Sequence, residues 1–492
     1  MTAVPLSTIR AALDDAGILI REHGELPERV TGLAEDSRLI TPGALFVAVR
    51  GSERDGHTYL SDAAARGASA AIVEVEGVTS LPSLVVRDGR LAAALSAGAF
   101  YDHPARSLQL IAVTGTNGKT TTAGIIRHLL DSSPGPRSAS IGTLGVLLGS
   151  EGELLPGGSG LTTPGPVELQ RVLRALVQRG VGAAAMEVSS HSLDQRRVEG
   201  LTFAAAVFTN LTHDHLDYHT TMEAYFAAKA RLIAHLEPSG VAVINADDAA
   251  WRALPEAPRR VTFSVSNAAD VRALDVRSGP RGSELTLALG SERHELRLPL
   301  IGDFNVANAL GAGAAAWALG MPGTEVAARL GAVPQVPGRL EILHEGPTVL
   351  RDYAHTPDAL ERALRAVRPF ARRRLTVVFG CGGDRDRGKR PVMGAIASKL
   401  ADYAILTSDN PRTEDPERIL DQIEEGMNGG RHERVEDRRA AIARAIAMSG
   451  PDDIVLLAGK GHETYQIRGE TRYPFDEREI VRELLGTKAT HA

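Results

Sequence analysis

Short runs of apolar residues recur along the chain and alternate with helical patterns. Such runs predict strands at residues 44–49, 70–73, 108–113, 183–186, 204–208, 241–244, 375–379, 403–407 and 454–458. Helical patterns predict helices at 60–67 and 121–130. Runs that are apolar at every position are typical of parallel sheets covered on both faces. The pattern therefore predicts an α/β fold, in which ligands bind beyond the carboxyl ends of the strands.

Two breaks rich in Pro, Gly and polar residues, at 101–106 and 333–339, divide the chain. They predict domains at 1–106, 107–336 and 337–492. At roughly 150 residues per domain, a chain of 492 residues suggests the same number of domains, about three.

The amino-acid composition of the chain argues against several classes of function. The chain has 55 Lys and Arg against 61 Asp and Glu, a net charge of −6, which argues against a bulk nucleic-acid binder. The one cysteine, Cys381, excludes an internal disulfide and a multi-cysteine metal site, and we assign it a structural role. Without a signal-peptide pattern or an apolar run of roughly 18 residues, we expect a cytoplasmic protein with no membrane insertion.

A glycine-rich turn at 114–121, Thr-Gly-Thr-Asn-Gly-Lys-Thr-Thr, follows a predicted strand and precedes a helix. This is the setting of a phosphate-binding loop, in which backbone N–H groups and the helix N-terminus hold phosphate oxygens. Val113 stands where the standard motif has its first glycine, so the loop is a shorter variant. We expect Lys119 to reach the β- and γ-phosphates and Thr120 to bind Mg²⁺. The candidate ATP-contacting residues are Gly115, Thr116, Asn117, Gly118, Lys119, Thr120 and Thr121.

Potential metal ligands follow the next two strands of this piece. Glu187 follows the strand 183–186, where a carboxylate beside a phosphate loop suits Mg²⁺. Three histidines follow the strand 204–208, and zinc is one interpretation of them. Because a nucleotide site already needs a divalent ion, we favour His215 as a single ligand, with His213 and His219 orienting or solvated. Lys229, in an Ala-rich helix, is by sequence alone an exposed lysine.

Four motifs follow one another along the chain: Gly-Thr-Asn-Gly-Lys-Thr, Glu-Val-Ser-Ser-His, Asn-Leu-x-x-Asp-His-Leu-Asp-x-His and Lys-Ala-Arg-Leu. In this order they resemble the muramyl-peptide ligase family, and the resemblance covers essentially the whole chain. The resemblance implies an α/β N-terminal domain that binds UDP-MurNAc, a central doubly wound P-loop domain that binds ATP, and a Rossmann-like C-terminal domain that binds an amino acid. It also implies that Lys229 is carbamylated and, with Glu187 and His215, binds Mg²⁺. The implied catalytic residues are Lys119, Lys229, Glu187 and His215.

The resemblance extends the nucleotide site beyond the phosphate loop. Asn305 resembles the adenine-side residue, Arg339 the hinge arginine near the γ-phosphate, and Asp352 the ribose contact. Because the phosphate loop lies in the middle piece and Asp352 lies in the third, we expect 333–339 to be a hinge for domain closure.

Within the family, the first piece resembles that of the member that adds the third residue of the stem peptide. The resemblance implies contacts to a UDP-MurNAc-dipeptide from Ser37, Ser52, Glu53, Arg54, Thr162, Thr163, Ser189, Gln195 and Arg197. Hydroxyl, amide and guanidinium groups suit an acceptor rich in carboxylates. Arg196 is an alternative to its neighbour Arg197.

The tetrapeptide Asp-Asn-Pro-Arg at 409–412 resembles the signature of members that use meso-diaminopimelate. The implied contacts are Arg385, Asp409, Asn410, Pro411, Arg412, Gly459 and Glu463. The implied reaction is ATP-dependent addition of meso-diaminopimelate to UDP-MurNAc-L-Ala-D-Glu through an acyl phosphate, by a monomer, in peptidoglycan precursor synthesis. Lysine or ornithine as the incoming amino acid, a folylpolyglutamate synthetase-like ligase and a regulatory P-loop ATPase are the alternatives.

Overall fold

The predicted alternation of strands and helices is present, and each predicted strand and helix overlaps an observed one. The computed structural model describes residues 3–51, 54–132, 135–158 and 160–486. By its internal contacts the chain divides into two compact units. The first contains Met1–Ala273, Leu287–His294 and Ala307–Leu330, and the second contains Leu274–Thr286, Glu295–Val306 and Gly331–Ala492.

The first hundred residues form a five-stranded sheet with helices on it. The elements are β1 (Val4–Pro5), α1 (Leu6–Asp15), β2 (Leu19–His23), β3 (Arg29–Val30), β4 (Leu33–Ala34), β5 (Leu45–Val47), α2 (Leu60–Ala65), β6 (Ala70–Val73), β7 (Ser83–Val86) and α3 (Gly89–Phe100). The strand order is β2-β7-β6-β5-β4, with β4 to β7 parallel and β2 antiparallel to β7. Leu45 and Val47 pack into one apolar cluster and Phe46 into another, because successive strand residues face opposite sides. Both faces are therefore covered, as the continuous apolar runs predict.

The middle of the chain forms the largest sheet. Its elements are β8 (Gln109–Thr114), α4 (Lys119–Leu130), β9 (Arg137–Gly142), β10 (Gly145–Leu148), β11 (Glu153–Leu155), α5 (Pro166–Gln178), β12 (Val181–Glu187), α6 (Ser190–Asp194), β13 (Phe203–Phe208), α7 (Leu216–His219), α8 (Met222–Ala230), β14 (Leu236–Asn245), β15 (Arg259–Ser264), β16 (Val271–Gly279), β17 (Gly282–Leu289), β18 (Glu292–Leu298), α9 (Asp303–Ala318) and α10 (Gly323–Gly331). The order is β11-β10-β9-β12-β8-β13-β14-β15-β16-β17-β18. Strand β8 lies between β12 and β13 and is parallel to both. The loops after these three strands therefore meet at one edge of the sheet, and they carry the motifs of the middle piece.

The last part of the chain has its own parallel sheet. Its elements are β19 (Glu341–His344), β20 (Thr348–Asp352), α11 (Pro357–Val367), β21 (Leu375–Phe379), α12 (Lys389–Leu400), β22 (Tyr403–Leu406), α13 (Pro416–Glu424), β23 (His432–Arg434), α14 (Arg438–Ala447), β24 (Ile454–Ala458), β25 (Tyr465–Arg468), β26 (Thr471–Pro474) and α15 (Glu477–Leu485). The order is β19-β20-β24-β21-β22-β23, with only β19 antiparallel to its neighbour. The segments 407–412 and 459–463 follow the carboxyl ends of β22 and β24. Cys381 is buried, with its sulfur 3.7 Å from the sulfur of Met393.

The division into three functional domains at 106 and 336 stays a prediction. Within the part of the chain that the structure describes, no helix combines the length and the apolar character needed to cross a membrane.

Candidate active site

The glycine-rich loop lies between β8 and the first turn of α4. Gly118 caps that helix with a φ of +85°, and a Cβ there would lie 2.2 Å from Oδ1 of Asn308, so only glycine fits. The ammonium of Lys119 donates to the carbonyls of Gly115 at 2.9 Å and Thr116 at 2.8 Å, which places it over the loop. An ammonium and a helix N-terminus at one turn form a site for anionic oxygens.

Asn210, which the sequence analysis did not select, fixes the shape of this loop. Its side-chain oxygen accepts from the Asn117 N–H at 2.9 Å, and its side-chain nitrogen donates to the Asn117 carbonyl at 3.1 Å. Its own carbonyl accepts from the Thr116 N–H at 2.7 Å. The segment after β13 therefore holds the loop in place before any ligand arrives.

Glu187 lies at the end of β12, 2% exposed, beside the start of α4. Its Oε2 accepts from the Thr120 hydroxyl at 3.1 Å, and its Oε1 accepts from the Thr143 N–H at 2.8 Å. A Cβ on Gly142 would lie 2.1 Å from Oε1, so the close approach of this strand depends on glycine. A carboxylate and a hydroxyl are thus held together next to the phosphate loop.

The three histidines after β13 have different surroundings. His213 is exposed, whereas His219 is buried with its Nε2 2.9 Å from the Ser190 hydroxyl. His215 lies immediately before α7, as its N-cap, in the left-handed conformation with a φ of +54°, and its ring lies 4.7 Å from that of His191. Burial lowers the pKa of His215, and the charges of Lys119 and Lys229 lower it further against the opposing charge of Asp214. These effects favour the neutral imidazole form of His215.

Lys229 is buried, 1% exposed, so the surface position expected from the sequence alone is wrong. Its ammonium nitrogen donates to the Gly115 carbonyl at 2.9 Å and lies 4.5 Å from the centre of the Tyr225 ring. Burial, together with the charge of Lys119, lowers its pKa well below the usual value. The last turn of α8 thus directs an amine at the phosphate loop.

The described residues contain no group of three or more His, Cys, Asp and Glu side chains able to hold a metal ion. Mg²⁺ in nucleotide sites is commonly held by one or two carboxylates together with substrate phosphates. The pairing of Glu187 with the Thr120 hydroxyl fits that type of site, and the zinc interpretation of the histidines has no cluster to support it.

The predicted dipeptide contacts adjoin Glu187. The Thr163 hydroxyl donates to the Glu187 carbonyl at 2.8 Å and accepts from the Ser189 N–H at 3.1 Å. Thr162 lies next to them, with its hydroxyl 3.4 Å from that of Thr143. Four hydroxyl-bearing side chains therefore line the ends of β9 and β12.

Arg197 and Arg196 differ clearly in their contacts. Arg197 donates to the Thr163 carbonyl at 2.8 Å and to Oε1 of Gln195 at 2.6 Å. Arg196 instead forms an ion pair with Asp88 at 3.1 Å. Of the two arginines, the structure places Arg197 with the other predicted dipeptide contacts.

Glu35, a residue that the sequence analysis missed, belongs to the same region. Burial raises its pKa to about 7, against the opposing effects of the Val167 N–H and the charge of Arg197. Nearby, Ser37 is buried and its hydroxyl donates to Asp62 at 3.2 Å. Arg54 is exposed, and Ser52 and Glu53 lie outside the described residues.

In the second unit, the segments after β22 and β24 are joined by side-chain hydrogen bonds. Nδ2 of Asn410 donates to Oε2 of Glu463 at 2.9 Å. Oδ2 of Asp409 is buried without a hydrogen-bond partner among the described residues, and a Cβ on Gly459 would lie 2.6 Å from it. Pro411, also buried, follows this pair. An unpartnered buried carboxylate oxygen is costly unless a cation binds it.

Two arginines lie beside Gly382, one in the segment after β22 and one in the loop between β21 and α12. Arg412, with a φ of +51°, donates to the Gly383 carbonyl at 2.8 Å. Arg385 is exposed and donates to the carbonyl of its neighbour Asp384 at 3.1 Å. Arg412 therefore lies on the same segment as the carboxylate of Asp409, and Arg385 lies on the loop after the neighbouring strand β21.

The remaining predicted nucleotide contacts also lie in the second unit. Asn305 is buried and donates to the Ile301 carbonyl at 2.8 Å. The guanidinium of Arg339 lies 5.0 Å from the centre of the Tyr353 ring. Asp352 accepts from the Leu340 N–H at 2.7 Å, and burial raises its pKa to about 6.

Comparison with models of known protein families identifies the family of this chain. Three models match successive parts of the chain: Mur ligase family, catalytic domain, over residues 29–114; Mur ligase middle domain, over 113–316; and Mur ligase, glutamate ligase domain, over 338–461. The chain belongs to the Mur ligase family. The sequence-based prediction of the family and of the ligase class is confirmed, as is the predicted three-part α/β fold.

Individual Mur ligases match at full length. The UDP-N-acetylmuramoyl-L-alanyl-D-glutamate–2,6-diaminopimelate ligase of Synechococcus elongatus is 48% identical, covering 96% of this chain and 97% of the relative. A solved structure of the same name is 35% identical, with a TM-score of 0.68, covering 98% of this chain and 99% of that one. The Mycobacterium tuberculosis folylpolyglutamate synthase complexed with ADP is 22% identical, with a TM-score of 0.63, covering 75% of this chain and 91% of that one, and shows the shared fold alone.

Proposed function

We propose that this chain joins meso-diaminopimelate to the side-chain carboxylate of D-Glu in UDP-MurNAc-L-Ala-D-Glu, using ATP, in the cytoplasm. The observation that carries the proposal is its full-length identity of 40–48% to ligases of that name. The loops at 409–412 and 459–463 support it, because they offer carboxylates and guanidinium groups to an amino acid with charges at both ends. Lysine has no distal carboxylate to pair with Arg412, so it should bind more weakly.

In the first step, an oxygen of the D-Glu carboxylate attacks the γ-phosphorus of ATP, and ADP leaves. The resulting acyl phosphate has a carbonyl carbon with a good leaving group. In the second step, the amine of diaminopimelate attacks that carbon, phosphate leaves, and the nitrogen releases a proton to solvent. Catalysis of this kind depends on alignment and charge neutralisation rather than on a protein nucleophile.

The residues of the first unit have separate tasks in this scheme. Lys119 and the N-terminus of α4 bind the triphosphate, and Arg197 with Thr163 and Ser189 orients the acceptor. Thr120, Glu187, His215 and carbamylated Lys229 would hold Mg²⁺, which supplies positive charge to the phosphate oxygens.

The environment of Lys229 supports carbamylation. A neutral amine is the form that attacks CO₂, and burial lowers the pKa of Lys229 toward that form. The neutral amine forms a new N–C bond to CO₂ and releases one proton, which gives an anionic carbamate whose oxygens can serve as metal ligands. Asn305, Arg339 and Asp352 complete the nucleotide contacts in this proposal, and residues 333–339 form the hinge.

The test is an assay of ADP release with purified protein, ATP, Mg²⁺ and UDP-MurNAc-L-Ala-D-Glu, adding diaminopimelate, lysine or ornithine in turn. We expect release that depends on diaminopimelate. Release independent of every amino acid would refute the ligase assignment, whereas a preference for lysine or ornithine would refute only the amino-acid assignment.

A further inference from the structure

Lys460 is an enclosed lysine between two of the predicted diaminopimelate contacts. It follows Gly459 after β24 and is 0% exposed, so it has no surface to offer a ligand. Its ammonium donates to Oδ1 of Asn410 at 3.0 Å and to Oε2 of Glu463 at 3.1 Å. The rings of Tyr465 and Phe475 lie 5.8 and 6.0 Å from it. Burial removes the hydration shell of this ammonium, and the interactions with its partners must offset that loss of hydration free energy.

The contacts of Lys460 determine the orientation of the Asn410 amide. Oδ1 of Asn410 accepts from Lys460 and also from the Ile467 N–H at 2.9 Å. Its Nδ2 donates to Glu463 at 2.9 Å. With two donors facing the oxygen and a carboxylate facing the nitrogen, the amide has one favourable orientation.

The same ammonium determines which oxygen of Glu463 is available. Lys460 and Asn410 both donate to Oε2, while Oε1 has no hydrogen bond among the described residues. Oδ2 of Asp409 is likewise unpartnered. Two carboxylate oxygens thus remain for a cationic ligand, and one of them is held in place through Lys460.

We propose that Lys460 is a positioning residue for amino-acid selection: it holds Asn410 and Glu463 in their binding geometry without touching the substrate. This inference rests on the proposed function and adds a residue to it. Loss of the ammonium would leave the Asn410 oxygen and the Glu463 carboxylate short of a donor, and both groups would reorient. The nucleotide contacts would be unaffected, because within the part of the chain that the structure describes the side-chain hydrogen bonds of Lys460 go only to these two residues.

The experiment compares Lys460→Met with wild type and with Lys399→Met, an exposed lysine on α12 that serves as the matched control. We expect Lys460→Met to raise the KM for diaminopimelate at least tenfold, the effect of losing one charge-assisted hydrogen bond, with the KM for ATP changed less than about twofold. Preference for diaminopimelate over lysine should fall, and Lys460→Arg should restore part of it. Lys399→Met should match wild type.

A second variant tests whether Lys460 acts through its neighbours. In an Asn410→Ala, Glu463→Gln background, Lys460→Met should add less than about twofold to the diaminopimelate KM, because the groups it positions are gone. If Lys460→Met does not fold, Lys460→Gln takes its place. It keeps a neutral donor to Asn410 but loses the charge that faces Glu463, so the KM for diaminopimelate should still rise, by less than in Lys460→Met, with the KM for ATP changed less than about twofold. An unchanged diaminopimelate KM, or an equal rise for ATP, overturns the proposal. Failure of the proposed function is distinct, since wild type itself would then not use diaminopimelate.

Discussion

Replacing Gly142 with alanine should impair the enzyme without altering any residue that touches a ligand. Gly142 ends β9 with an ordinary negative φ, so alanine brings no backbone strain. Its Cβ, however, would lie 2.1 Å from Oε1 of Glu187, whereas real Cβ atoms essentially never approach a heavy atom within 3.0 Å. The carboxylate must therefore move by about 1 Å, away from the Thr120 hydroxyl and the Thr143 N–H.

A displacement of that size at a reacting centre costs on the order of 100-fold in rate. This corresponds to about 3 kcal/mol of transition-state stabilisation. We expect kcat/KM to fall by this factor and the Mg²⁺ concentration for half-maximal velocity to rise, in assays of ADP release at varied Mg²⁺. The matched control is Gly331→Ala, where the nearest atoms are 3.7 Å from the added Cβ. Full activity of Gly142→Ala with an unchanged Mg²⁺ requirement would refute the assigned role of Glu187.

Three further predictions follow from single residues. Arg412→Ala should raise the KM for diaminopimelate at least tenfold and leave that for ATP nearly unchanged; equal effects in steady-state assays would count against selective recognition. Lys229→Ala should be inactive even with excess bicarbonate, since no amine remains to carry a carbamate, and an active variant would remove its assigned role. Glu35 has its pKa raised from 4.5 to about 7 by burial, so the folded state binds its proton more tightly than the unfolded chain. The ionisation of Glu35 should therefore destabilise the folded state as pH rises from 4.5 to 7, by at most about 3 kcal/mol. The Tm of Glu35→Gln should accordingly rise relative to that of wild type across this pH range. A Tm difference that stays constant with pH would contradict this.

The apolar runs located nine parallel strands, because a strand buried on both faces leaves a continuous local signal. They missed other parallel strands that are also buried, such as β7 and β9, whose apolar runs are shortened by serine. They missed β16 and β17, where exposed polar residues interrupt the apolar pattern. They also missed the short hairpin β25–β26, whose second strand is exposed throughout. A strand that is partly exposed to solvent has a weaker apolar pattern, so its position is harder to predict from the local sequence.

The residues of the candidate active site likewise include some that the local sequence could identify and others that it could not. Motifs with local spacing, such as the phosphate loop, could be located from the sequence. The burial of Lys229 could not, because the carbonyl it contacts belongs to Gly115, far away in the chain. Asn210 and Lys460 were missed for the same reason, since their importance lies in side-chain bonds to other loops. Arg196 and Arg197 are adjacent in sequence and could be distinguished only by their partners in the fold.

The central claim is that this ligase selects meso-diaminopimelate. The most direct measurement is a competition assay: purified protein, ATP, Mg²⁺ and UDP-MurNAc-L-Ala-D-Glu with equal concentrations of diaminopimelate, lysine and ornithine, with the nucleotide product identified by mass spectrometry. We expect nearly all product to carry diaminopimelate and one ADP to form for each amide. A product carrying mainly lysine or ornithine, or ADP formed without any tripeptide product, would contradict it.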